Sequence, residues 1–152
     1  MFPAYLSTLI FLILLVISWR SIRRGKQIAE FTYSWAFLIG AFVWEDIFIF
    51  SLYGLIASII TVVTEQLKFG LFFFLIFWVI RSAGETLYFF LQQFLEPKHF
   101  PHYIDDRFQI LRYIFGNISY QQCLIIMQVF FQIIMMFSTA SLILLLFNWH
   151  SL

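Results

Sequence analysis

Four ionisable residues lie inside long apolar stretches of the sequence, where a charged side chain is energetically unfavourable. Glu45 and Asp46 are adjacent in one stretch, and Arg81 and Glu85 stand four residues apart in the next. A charge at the centre of a bilayer costs at least about 2.5–3.5 kcal/mol by insertion scales, so such residues are usually paired and often functional. Carboxyl groups beside a guanidinium can exchange a proton or help to bind an anion.

The charges of this set do not balance. With all groups ionised, three negative charges and one positive charge give a net charge of −2. Arginine keeps its proton, whereas burial and like-charge repulsion favour the neutral form of a carboxyl group. We therefore expect at least one of Glu45, Asp46 and Glu85 to hold a proton at neutral pH. A simple structural pair would need one acid only, although neutralisation of Arg81 to fix helix packing remains the competing interpretation.

Polar residues at helical spacing can be added to the four ionisable residues. A hairpin centred near residue 65 brings residue 45 opposite residue 85, and residues four apart on one helix share a face. Adjacent residues point about 100° apart, so Glu45 and Asp46 cannot face the same neighbour equally well. The predicted ligand-binding or proton-coupling residues are Glu45, Asp46, Arg81, Glu85, Tyr88, Gln92, Gln128 and Gln132. Taken alone, Gln128 and Gln132 are more typical of hydrogen bonds between helices.

The elements that carry these residues are long apolar segments. The chain has 152 residues, of which 62% are hydrophobic and only 11% charged. A soluble domain is nearer half apolar and a quarter charged. Four segments reach the roughly 20 residues that cross a bilayer as a helix. They predict an all-α, polytopic membrane protein, a single transmembrane domain over 1–152 with spans at about 2–24, 33–63, 67–95 and 118–147.

Two connections should lie in the cytoplasm, at about 20–32 and 96–117. Together they hold seven Lys and Arg residues, whereas the opposite side has only Lys68. The positive-inside rule then places both termini outside, in the inner membrane if the source is bacterial. In the second connection, the spacing of Ile104, Phe108, Leu111 and Phe115 predicts a short amphipathic helix over Tyr103–Phe115.

Local signals mark the start of one helix and weigh against a metal site. Ser119 and Gln122 have the spacing of a capping box at the start of the last span. His99 and His102 stand near Asp105 and Asp106, but their spacing does not suit a zinc site, so we expect no metal and no cofactor. A net charge of +1 gives no basic face for nucleic acid.

Three functions from different classes fit these features. The first is a proton-linked carrier or membrane ligand-binding protein in contact with the lipid bilayer, for which we expect a homodimer because four spans are few for a carrier. The second is an accessory or assembly subunit that binds another membrane protein within a larger complex. The third is a membrane-embedded, isomerase-like enzyme acting on a lipid or other apolar substrate, since paired acids can move protons. The sequence identifies no catalytic residue.

Overall fold

The structure is a computed structural model that describes residues 2–24, 44–94 and 108–149. Within those residues it contains helices and no strand, which confirms the all-α prediction. The helices are α1 (Phe2–Arg23), α2 (Trp44–Thr64), α3 (Leu67–Gln92), α4 (Gln109–Phe115) and α5 (Tyr120–Phe147). All but α4 are long and apolar enough to cross a membrane, by length and composition.

The four long helices match the predicted spans where the structure describes them. The 22 residues of α1 give a length of about 33 Å, enough for a hydrocarbon core of about 30 Å. A helix satisfies its own backbone hydrogen bonds, which lipid cannot do. The second span was predicted to begin near residue 33; its part before Trp44 lies outside the described residues, as do most of both predicted cytoplasmic connections.

The predicted hairpin between the second and third spans is confirmed. Glu65 adopts a positive φ of 56° between α2 and α3. Across the hairpin, the Tyr53 hydroxyl donates a hydrogen bond of 2.8 Å to the Phe73 carbonyl. The Phe50 and Phe77 rings meet edge to face, with centroids 5.1 Å apart. This register brings Asp46 to the level of Arg81.

The long helices form two closely packed antiparallel pairs. In one pair, the Ser7 and Ser58 hydroxyls lie 2.9 Å apart and join α1 to α2. In the other, the Phe89 ring stacks on the Phe131 ring at 5.9 Å and joins α3 to α5. The contact between α2 and α3 is much less extensive than either of these. The molecule is therefore a pair α1/α2 connected to a pair α3/α5 through the short turn at Glu65.

The short helix α4 packs against the α3/α5 pair. Phe108, which precedes α4, and Leu111 are buried in a hydrophobic core that includes Phe89, Met127 and Phe131. Among the residues predicted to form its apolar face, Phe115 differs, because it is exposed at the end of the helix. Residues 103–107 of the predicted helix lie outside the described residues.

The capping box at the start of α5 is confirmed. The Ser119 hydroxyl accepts a hydrogen bond from the backbone N–H of Gln122, and the Gln122 side chain accepts one from the backbone N–H of Ser119. These two bonds satisfy donors that the first turn of any helix leaves open. The start of the last span can therefore be read from four consecutive residues.

Candidate functional site

Arg81 joins two carboxyl groups from different helices. Its Nη2 forms an ion pair with Glu85 Oε1 one turn along α3, and its Nη1 lies 3.9 Å from Asp46 Oδ1 on α2. The side chain of Glu85 is 7% exposed, whereas those of Arg81 and Asp46 are 21% and 23% exposed. We refer to Asp46, Arg81 and Glu85 as the Arg81 cluster. Its formal charge with all three groups ionised is two negative and one positive, or −1.

An aromatic ring holds the guanidinium in place. The Cζ atom of Arg81 lies 4.9 Å from the centroid of the Phe50 ring. Such a cation–π contact contributes about 0.5–2 kcal/mol, more where water is excluded. Phe50 belongs to α2, so Arg81 contacts that helix through both an aromatic face and a carboxyl group. The Arg81 cluster is consequently one polar connection between the two helix pairs, and the hydrogen bond from Tyr53 to the Phe73 carbonyl is another.

Glu45 does not share the position of Asp46. Its side chain is exposed, while Asp46 is half-buried and Trp44 and Ile47 are buried. The burial of Trp44 and Ile47 fixes the rotation of α2, and one residue along the helix changes the direction by about 100°. The set of three carboxyl groups expected around Arg81 is thus reduced to Asp46 and Glu85.

Tyr88 and Gln92, two of the predicted site residues, lie on α3 beyond the Arg81 cluster. Tyr88 is exposed, and its ring meets the Phe89 ring edge to face at 5.2 Å. Gln92 is half-buried, and its Oε1 atom is buried with no hydrogen-bond partner among the described residues. Their proposed part in ligand binding or proton coupling stays a prediction.

Gln128 of α5 contacts the end of α3, beyond the Arg81 cluster. Gln128 Oε1 accepts a hydrogen bond of 2.6 Å from Nε2 of Gln93, which is eight residues beyond Glu85 and about 12 Å along α3. The stacking of Phe89 on Phe131 sets this register. Gln132 is half-buried one turn further along α5. Gln128 therefore connects α3 to α5, in keeping with the helix–helix role that glutamines often have in membranes.

A cavity of about 540 Å³ lies between α1, α2 and α3, and the sequence did not reveal it. Phe11, Phe74, Phe77 and Trp78 supply much of its wall, and Phe50, the ring against Arg81, also lines it. The volume is in the range of sites for small organic ligands. The Arg81 cluster thus lies directly behind one aromatic residue of an apolar cavity.

Small residues create this space. A Cβ atom added to Gly54 would come within 2.5 Å of the Phe11 ring, so α1 approaches α2 as closely as glycine permits. Gly70, opposite Thr61, and Ala57 line the cavity on its other sides. Small residues at such positions of a helix are typical of close helix contact, but a contact and an adjoining cavity have the same sequence signature.

His99 and His102, with their neighbouring aspartates, lie outside the described residues. No protein-family model, curated protein or solved structure matches the chain. Its four apolar helices are compatible with an integral membrane protein.

Proposed function

We propose that this chain is a proton-linked membrane carrier or ligand-binding protein, in which Asp46 and Glu85 exchange a proton beside Arg81. The supporting observation is that one guanidinium contacts carboxyl groups from two different helices. A pair that only neutralised Arg81 would need Glu85 alone. The additional acid gives the cluster one negative charge more than Arg81 balances, and a bound proton removes that excess.

The two carboxyl groups differ in what their protonation would change. Glu85 and Arg81 belong to the same helix, so their contact constrains no other element. Asp46 and Arg81 belong to different helix pairs, and their separation of 3.9 Å is at the outer limit of an ion pair. Loss of charge on Asp46 would weaken a contact between α2 and α3, where the packing is least extensive. Proton binding is thereby linked to the relative position of the two pairs.

An infrared titration of the reconstituted protein tests the proton on the cluster. We expect a protonated-carboxyl carbonyl band at neutral pH that disappears in Asp46→Asn or in Glu85→Gln. Glu65→Gln is the matched control, because Glu65 lies in the turn between α2 and α3, outside both helices. A wild-type spectrum in which every carboxyl group is ionised would contradict the proposal.

Proton flux then tests the carrier function. Proteoliposomes loaded with the pH-sensitive dye pyranine receive an imposed pH gradient, and protein-free liposomes set the baseline. We expect wild type and Glu65→Gln to exceed the baseline, with Asp46→Asn and Glu85→Gln close to it. If both cluster variants carried protons as fast as wild type, the cluster would have no role in transport. A wild-type rate at the baseline would count equally against a proton carrier.

We also propose the orientation in which both termini lie outside and the basic connections lie in the cytoplasm. Arg20 and Arg23 in the last turn of α1, with Arg24 directly after it, support this assignment through the positive-inside rule. Protease removal of terminal epitope tags from intact cells measures it. Tags that are cleaved only after the cells are permeabilised would reverse the orientation.

The homodimer remains part of the proposal, because four spans offer a carrier little interior for a pathway. Native mass spectrometry from lipid nanodiscs measures the number of copies. Detection of the monomer alone would exclude the dimer. A stoichiometric complex with a different membrane protein would instead favour the accessory-subunit function.

A further inference from the structure

We infer that the cavity between α1, α2 and α3 binds an uncharged lipid alcohol, with its hydroxyl group at Ser58 and Thr61. The inference rests on the proposed function only in taking the protein to bind a ligand. It adds the chemical class of that ligand. The cavity has about 540 Å³, and its wall is predominantly apolar.

The serine and threonine hydroxyl groups that line the cavity already donate hydrogen bonds within the protein. Ser7 donates to the Ala4 carbonyl at 2.9 Å, so in the contact between Ser7 and Ser58 it is Ser58 that donates. Thr61 donates to the Ala57 carbonyl at 2.8 Å, one turn back along its helix. What Ser58 Oγ and Thr61 Oγ1 can still offer a ligand is their lone pairs. A ligand hydroxyl can donate to these oxygens, whereas a carboxylate or a ketone cannot.

Both oxygens are well sheltered. Ser58 is 7% exposed and Thr61 is 4% exposed, and both line the cavity. A hydrogen bond made there gains strength from the low dielectric, and a carboxylate placed there would meet only acceptors. The nearest cation along α3 is Lys68, whose Nζ donates to the Trp149 carbonyl at 3.2 Å and lies over the Trp149 ring. Lys68 is therefore directed towards the end of α5.

The polar and apolar ends of the cavity match the two ends of a lipid alcohol. Thr61 lies one turn before the Glu65 turn, so the hydroxyl oxygens are near one end of the membrane-spanning helices. Trp78 lies eight residues beyond Gly70, the contact of Thr61, which is about 12 Å along α3 towards the middle of the bundle. A lipid alcohol in the bilayer has the same orientation as the cavity, with its hydroxyl near the membrane surface and its hydrocarbon chain inside.

Photolabelling with two probes of identical chain tests the inference. One probe is cetyl alcohol carrying a diazirine in its chain, and the other is the corresponding fatty acid with the diazirine at the same carbon. The protein is reconstituted in phosphatidylcholine vesicles, and labelled peptides are identified by mass spectrometry. We expect the alcohol to label the cavity wall roughly five- to tenfold more than the acid, the effect of about one hydrogen bond. Unlabelled cetyl alcohol should compete.

A matched pair of variants separates the cavity from the lipid-facing surface. Ala57→Leu fills the cavity and should abolish the preference for the alcohol. Ala83→Leu adds the same atoms on an exposed face of α3 away from the cavity and should preserve it. Competition in the wild type gives a result even if Ala57→Leu fails to fold.

Three results would overturn the inference: equal labelling by both probes, stronger labelling by the acid, or no competition by unlabelled alcohol. These failures are distinct from a failure of the proposed function. Proton flux that is unchanged by substitutions in the Arg81 cluster would refute the carrier function and leave the proposed alcohol site standing. Flux that depends on the cluster, without selective labelling, would refute the alcohol site alone.

Discussion

Arg81 provides the charged contact between the two helix pairs, which are also joined by the hydrogen bond from Tyr53 to Phe73. Glu85 balances its charge within α3, and Asp46 adds a second carboxyl group from α2. Glu85 is buried, whereas the side chains of Arg81 and Asp46 remain 21% and 23% exposed. Because one cation serves two acids, the free energy of unfolding should fall more on removal of Arg81 than on removal of either acid.

Arg81→Gln should destabilise the protein, because it leaves Asp46 and Glu85 without their shared counter-ion. Removal of one partner from a fully buried pair costs about 3–5 kcal/mol, and the partial exposure here makes that an upper bound. Addition of Glu85→Gln should recover part of the loss. Thermal unfolding in detergent micelles measures both steps. Arg23→Gln, at the exposed end of α1, is the control, and a double variant no more stable than Arg81→Gln would contradict the explanation.

The sequence could not predict whether Glu45 or Asp46 contacts Arg81. The pairing of Arg81 with Glu85 follows from a spacing of four on one helix. Which of two adjacent acids faces α3 depends on the rotation of α2, and that rotation is set by burial of Trp44, Ile47 and Ser51. The small residues Ser51, Gly54 and Ser58 mark one face of α2, but the sequence does not show whether that face packs against α1 or α3, and the direction of the two acids depends on this choice.

For the helices, the sequence predicts where they begin and end better than it predicts how far each is shifted along its neighbour. Length, the tight turn at Glu65 and the Ser119 capping box define where helices begin and end. The level of Gln128 depends instead on the stacking of Phe89 on Phe131. The chain contains 22 phenylalanines, and many pairings of such residues between α3 and α5 would have similar burial. Packing detail selects one register, and no periodicity in the sequence encodes it.

Gly54→Ala should loosen the α1/α2 pair, because the new methyl group would meet the Phe11 ring at about 2.5 Å. Overpacking of this kind costs about 1–3 kcal/mol, with the lower end expected where a ring can move into a cavity. The double variant Gly54→Ala, Phe11→Ala should lose less than the sum of the two single losses. Thermal unfolding of all three variants measures this coupling.

The control for this prediction is Gly84→Ala. A Cβ atom added there meets nothing within 4 Å among the described residues, so the same substitution in α3 should not destabilise the protein. An equal loss at both glycines would assign the effect to the helix backbone. The close approach of α1 to α2 would then not explain the requirement for glycine at position 54.

At the scale of the whole molecule, the packing divides the chain between α2 and α3. The α1/α2 and α3/α5 contacts are extensive, while the contact between the pairs is sparse and includes the hydrogen bond from Tyr53 to Phe73 and the ion pair from Arg81 to Asp46. Relative movement of domains or helix groups usually occurs where few contacts must break. The cavity is lined by both pairs, so a change in their separation would also change the space available to a ligand.

Asp46→Asn, which imitates the protonated side chain, should move the pairs relative to each other without altering either pair. Spin labels placed in a Cys123→Ala background at the exposed positions Leu12 and Phe137 report the distance between pairs. Labels at Leu12 and Ile56 report the α1/α2 pair, and labels at Ile80 and Phe137 report the α3/α5 pair. We expect the first distance distribution to shift or broaden in Asp46→Asn while the other two stay as in wild type, because only the first spans the weakened ion pair. Equal changes in all three would indicate a general loss of packing, and no change in any would show that the Arg81 contact does not control the position of the pairs.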